Sequence, residues 1–168
     1  RIAIWRDVVN KLPGNARGHH NLGVALADEE EHAEAIQHYD EALRIRPDYV
    51  AVLAHRGASY NKLGEHNKAL ADFERALELD PNNEKAEIGR GVAAQALGNF
   101  DEAIERFKET VAEHPDSAIA WNNLGSTYDR KDEYDRALEC FSKAIEVDPT
   151  FANAWINRGV TYTKKDEW

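Results

Sequence analysis

The five prolines of the chain, Pro13, Pro47, Pro81, Pro115 and Pro149, stand 34 residues apart. A fixed period of that length demands a fold in which one small supersecondary unit is reused and each copy buries its apolar side against the next. The same register carries Gly23, Gly57, Gly91, Gly125 and Gly159, then Ala35, Ala69, Ala103 and Ala137, then Tyr39, Phe73, Phe107 and Phe141, and then Ala42, Ala76, Thr110 and Ala144. Small residues suit places where two backbones come close, and the aromatic fills the wider space beside them.

Within each period the apolar residues recur at steps of three and four, as in Leu70, Phe73, Leu77 and Ile104, Phe107, Val111, which is the spacing of one helix face. The pattern predicts first helices at about 17–29, 51–63, 85–97 and 119–131, and second helices at about 33–45, 67–79, 101–113 and 135–147. Counting a partial helix at each end, ten helices and four complete hairpins are expected. Asp48, Asn82, Asp116 and Thr150 follow the prolines and are read as caps of the next first helix. Gly64 and Gly98 are placed in left-handed turns, whereas Glu31 and Asp132, taken as their equivalents, should need other dihedrals or carry strain.

Composition sets outer bounds. With 42% hydrophobic and 31% charged residues and only 10 Gly, the chain has the make-up of a folded helical protein. Its 31 Asp and Glu exceed its 21 Lys and Arg, a formal charge of −10, which argues against a nucleic-acid backbone binder. The single Cys140 cannot form an internal disulfide, which allows a reducing compartment, and a cytoplasmic location is expected. No run approaches the roughly 18 apolar residues of a membrane span, so no membrane contact by this segment is expected. The chain begins at Arg1 and contains no Met, which is read as a segment of something longer.

The pattern resembles the tetratricopeptide repeat (TPR) family over nearly the whole chain, most fully in Trp121, Leu124-Gly125, Tyr128, Ala137, Phe141, Ala144 and Pro149. The second repeat keeps Leu53, Gly57, Tyr60, Ala69, Phe73, Ala76 and Pro81 but has Arg56 where the family usually has Leu. The third departs furthest, with Glu87, Arg90, Ala94 and Thr110, and is expected to be the local soft point. The resemblance implies an all-α right-handed superhelix, an α-solenoid of antiparallel helix hairpins. It divides the chain into the second helix of a truncated repeat at 1–15, repeats at 16–49, 50–83, 84–117 and 118–151, and the first helix of another truncated repeat at 152–168.

By the same resemblance, a concave groove is lined by first helices, and their non-consensus positions are its candidate contacts: Asn21, His55, Lys85, Ile88, Val92, Asn122, Asn123, Ser126, Arg130, Asn157 and Val160. Asn21, Asn123 and Asn157 share one column, with His55 and Gly89 between them, and resemble a broken asparagine ladder that holds the backbone of an extended peptide. An amide suits that role because one short side chain both donates and accepts. Such bonds contribute only about 0.5–1.5 kcal/mol each, so aliphatic anchors such as Ile88, Val92 and Val160 are needed as well. The family's two-carboxylate clamp is not expected. His20 and Val24, Ala54 and Ala58, Ile88 and Val92, and Asn122 and Ser126 stand where a leading repeat should present Lys and Asn.

No catalytic motif, cofactor site or metal site is expected. The spacing of His19, His20 and His55 matches no compact zinc motif, and His19, which replaces the family's Trp, is read as packed between helices. Cys140, beside the core Phe141, is read as an inert thiol. The expected function is therefore a non-catalytic protein-protein interaction module holding a protein or extended peptide. The alternatives are a structural or self-assembly scaffold and a regulatory arm of a larger enzyme or membrane-associated protein. Weak end-to-end homo-association near Trp155 and Tyr162 is also expected, because apolar residues of the last helix lack a covering partner.

Overall fold

A computed structural model describes residues 1–166. Ten helices follow in order: α1 (Ile2–Lys11), α2 (Ala16–Ala27), α3 (His32–Ile45), α4 (Val50–Lys62), α5 (His66–Leu79), α6 (Glu84–Ala96), α7 (Phe100–Glu113), α8 (Ala118–Arg130), α9 (Tyr134–Val147) and α10 (Ala152–Asp166). No strand occurs among the described residues. The fold is all-α, a succession of helix hairpins of the solenoid class. Its helices form two compact units, Arg1–Gly89 and Arg90–Trp168, whose boundary falls inside α6.

The small and aromatic columns find one explanation in both units. A Cβ placed on Gly23 would lie 2.5 Å from the Tyr39 ring, on Gly57 2.8 Å from Phe73, on Gly91 2.6 Å from Phe107, and on Gly125 2.8 Å from Phe141. Each first helix therefore rests its glycine directly on the aromatic of its own second helix, and all four aromatics are essentially buried. Around them in unit 1, Val9, Leu22, Leu26, Ala35, Ala42 and Val52 form the core, with Trp5 packed on its edge. In unit 2, Ala118, Ala144, Ile145 and Ala154 pack with Trp121 and Phe151. Thr110 stands in the alanine column without a lost hydrogen bond, because its hydroxyl donates to the Arg106 carbonyl at 3.0 Å.

The Trp column has a polar purpose as well as an apolar one. Trp121 Nε1 donates to the Pro115 carbonyl and Trp155 Nε1 to the Pro149 carbonyl, each at 3.0 Å. His19 occupies the same column, is buried, and places Nε2 3.1 Å from the Pro13 carbonyl. A carbonyl only accepts, so Nε2 carries the proton, and Nδ1 is left to accept from His38 Nδ1 at 3.1 Å. The imidazole thus reproduces the indole's donor in the same place.

Two local expectations need correction. The side-chain caps stand one residue later than Asp48, Asn82, Asp116 and Thr150. Asn15 accepts from Gly18 N, Asn83 from Ala86 N and Ser117 from Ala120 N, whereas Tyr49, in the same column, has no capping oxygen. The residue at the earlier position belongs to the Pro-containing turn, too far back for its oxygen to meet the third amide of the helix. The left-handed turn residues are Gly64, Gly98, Glu30 and Asp132, at φ of 77°, 82°, 63° and 60°. Glu31 instead lies at φ −82° as the residue preceding α3. All four turns keep one geometry, and the two acidic residues bear the Cβ penalty that glycine avoids.

Candidate functional site

In unit 1 the first helices α2 and α4 and the start of α6 carry Asn21, His55, Lys85 and Ile88, of which His55 and Lys85 meet. Asn21, His55 and Ile88 are half-buried and Lys85 is exposed. His55 Nδ1 lies 2.6 Å from the Ala51 carbonyl, one turn back on its own helix, which fixes the proton on that nitrogen. Its Nε2 is then a lone pair and accepts from Lys85 Nζ at 3.0 Å. His20 Nε2 sits 3.1 Å from His55 Nδ1 and faces that N–H, so it too is an unprotonated acceptor. Burial first, then the nearby His55, Lys85 and Arg17, push the His20 imidazole down to about 4. Burial and Lys85 lower His55, against the Ala51 carbonyl and Asp28, which raise it.

Asparagine is missing from the ladder at Gly89 for a steric reason. A Cβ there would lie 2.3 Å from Phe73 Cζ, so the tip of that ring fills the place of a side chain. Phe73 is held between Gly57 and Gly89, while the equivalent Tyr39 meets Gly23 on one side and stacks with His55 at 6.2 Å on the other.

In unit 2 neighbouring first helices are joined by polar rungs, of which Asn122, Thr127 and Thr161 are buried. Asn157 Nδ2 donates to Asn122 Oδ1 at 2.9 Å, Gln95 Nε2 to Thr127 Oγ1 at 3.0 Å, and Thr161 Oγ1 to Asp129 Oδ1 at 2.8 Å. Asn122 is buried, so its role is to hold Asn157 and not to present its own amide. Asn123, Ser126 and Val92 are half-buried, and Arg130 and Val160 are exposed. Sequence reasoning missed Tyr39, Tyr49 and Arg46, which surround His20: the Tyr49 ring lies 5.1 Å from His20, and the Arg46 guanidinium stands over Tyr49 at 4.7 Å. The visible signal was Tyr39 itself, a hydroxyl in a column otherwise filled by Phe.

A separate open cleft of about 790 Å³ lies along α9, lined by Trp121, Leu138, Cys140, Ser142, Tyr162 and Lys165 among others. None of the candidate groove residues lines it. Burial and Glu139 push the Cys140 thiol up to about 12, so at neutral pH it is a protonated core side chain and a poor nucleophile.

Repeated helix hairpins, with aromatic and alanine columns buried and polar side chains left on the first helices, define a repeat scaffold. Family models of the tetratricopeptide repeat match residues 16–49, 50–83 and 118–151, and further models of the same repeat match 86–117 and 140–168. The chain belongs to the tetratricopeptide repeat family. No curated protein gives a significant sequence match. Among solved structures, residues 41 to the end of MamA from Desulfovibrio magneticus are 24% identical with a TM-score of 0.73, covering 90% of this chain and 85% of that one. A tetratricopeptide repeat protein from Parabacteroides merdae is 22% identical with a TM-score of 0.88, covering 99% and 65%. A thermophilic TPR protein from Thermus thermophilus is 17% identical with a TM-score of 0.85, covering 96% and 89%. These likenesses show the fold; no catalytic family is indicated.

Proposed function

We propose that this chain is a non-catalytic interaction module that binds a partner peptide or protein segment on the face of its first helices. The observation that carries the reading is the division of labour within those helices. Their consensus columns are consumed by packing, while Asn21, His55, Lys85, Ile88, Val92, Asn123, Ser126, Arg130, Asn157 and Val160 stay wholly or partly open. Within unit 2, Asn123 has a side-chain amide that enters no hydrogen bond among the described residues, and Asn157 keeps its oxygen free while Asn122 orients its nitrogen. That is a suitable arrangement for a peptide backbone, which offers one donor and one acceptor per residue. Val92 and Val160 supply branched apolar surface in the same unit.

The test is selection of a binding peptide from a displayed library against the whole chain, followed by replacement of Asn123 and Asn157 with Ala. Affinity is expected to fall by roughly 1–3 kcal/mol with helicity unchanged. Because Asn157→Ala also strands the Asn122 oxygen, Asn123→Ala alone serves as the comparison free of that defect. Unchanged affinity, or a footprint confined to the second helices, rejects the reading.

A further inference from the structure

The imidazole pair of unit 1 has surroundings that simple packing does not explain. In a chain with a formal charge of −10, Arg17, Arg46 and Lys85 form no ion pair among the described residues, and all three stand around His20 and His55. Arg17 lies one turn before His20 on α2, Lys85 touches His55 from α6, and Arg46 reaches His20 through the Tyr49 ring. Beneath the pair, the Tyr39 hydroxyl is wholly buried and has no hydrogen-bond partner among the described residues. Among the described residues one acidic side chain acts on the cluster, Asp28, and it is already paired with Arg1 at 3.1 Å. The two imidazoles are half-buried, so the cluster is open on one side.

The hydrogen-bond directions leave the cluster poised for an anion. A proton added to His20 Nε2 would set two N–H groups head to head across 3.1 Å, and one added to His55 Nε2 would face the Lys85 ammonium across 3.0 Å. Either repulsion is offset when a carboxylate oxygen accepts from the facing donors. We propose that the first-helix face of unit 1 binds an acidic peptide segment, one carboxylate bridging His20, His55 and Lys85, and that binding draws one proton from solvent onto the imidazole pair. The inference rests on the first-helix face being the peptide-binding face and adds the charge of the partner and its coupling to pH. It differs from the two-carboxylate clamp, whose Lys and Asn positions are filled here by His20, Val24, Ala54 and Ala58. The low proton affinity of the free His20 is what leaves room for uptake on binding.

Hexaglutamate is the probe, with hexaglutamine and hexalysine as controls, titrated calorimetrically into the whole chain at about pH 5.5 and about pH 8 in buffers of different ionisation enthalpy. Hexaglutamate is expected to bind about tenfold or more tightly at the lower pH, with close to one proton taken up per peptide, and the controls not to bind. Lys85→Met should weaken binding at both pH values, and His20→Asn with His55→Asn should flatten the pH dependence, with circular dichroism confirming the fold of each. The proton count on the unaltered chain stands even where a variant fails to fold. Equal affinity at both pH values, no proton uptake, or a footprint away from α2 and α4 overturns the proposal. Those outcomes, alongside a selected peptide that still depends on Asn123, would sink the acidic site alone; loss of the Asn123 effect with proton-coupled hexaglutamate binding intact would sink the unit 2 contacts alone.

Discussion

Gly125 and Gly159 share a column of the repeat but meet opposite demands. A Cβ on Gly125 would press on Phe141 at 2.8 Å and on the Ala137 carbonyl at 3.1 Å, whereas one on Gly159 meets nothing within 4 Å. Gly125→Ala is therefore expected to cost about 1–3 kcal/mol through overpacking. Gly159→Ala, in the body of α10, should stabilise by about 0.5–1 kcal/mol through reduced backbone freedom in the unfolded chain. Urea unfolding of the two variants checks this, and shifts of the same sign would remove the packing reason for the column. At this scale the sequence was legible where residue types contrast and illegible where they do not. Glu31 is read as the counterpart of Gly64 with other dihedrals, but within the run Glu29, Glu30 and Glu31 a step of 34 back from Gly64 falls on Glu30, and it is Glu30 that takes the left-handed turn.

Between elements, Arg56 of α4 shows how a departure from the family pattern is accommodated. Its Nε and Nη2 donate to the two oxygens of Asp72 on α5 at 2.8 and 2.6 Å, and its Nη1 donates to Asp40 on α3 at 2.6 Å. Asp72 is buried, and its hydrogen bonds, ahead of the opposing burial, raise the Arg56 guanidinium further above its ordinary range. Arg56→Leu alone, which restores the usual residue, should destabilise by about 3–5 kcal/mol because it leaves a buried carboxylate unpaired. Adding Asp72→Leu should recover most of that loss, and a double-mutant cycle by thermal unfolding measures the coupling. Helix spans were readable to within a few residues because apolar periodicity is set by helix geometry. The caps were displaced by one because adjacent positions, Asn82 with Asn83 and Asp116 with Ser117, both offer an oxygen, and only the path of the turn selects between them.

Over the molecule as a whole, α10 leaves Trp155, Ile156, Val160 and Tyr162 about half or more exposed, and Tyr162 also lines the open cleft along α9. Exposed apolar side chains favour association, and Trp155 and Tyr162, two turns apart, share one face of α10. Sedimentation velocity over a wide concentration range should show reversible self-association that weakens in Tyr162→Glu; a monomer at every concentration counts against it. The repeat register made the first-helix face visible in the sequence, since it separates packing columns from the rest. The partnerships on that face were not visible. Whether Asn157 meets Asn122, or His20 meets His55, depends on rotamers and on spacing between helices that a one-dimensional period does not contain. The ring of Phe73, lodged between Gly57 and Gly89, also constrains how this chain can diverge. Gly89 cannot acquire the asparagine of its column while that ring remains, and shortening Phe73 first opens a hole beneath two helices. Each step alone is unfavourable, so lineages descending from this sequence should change the two positions together or keep both.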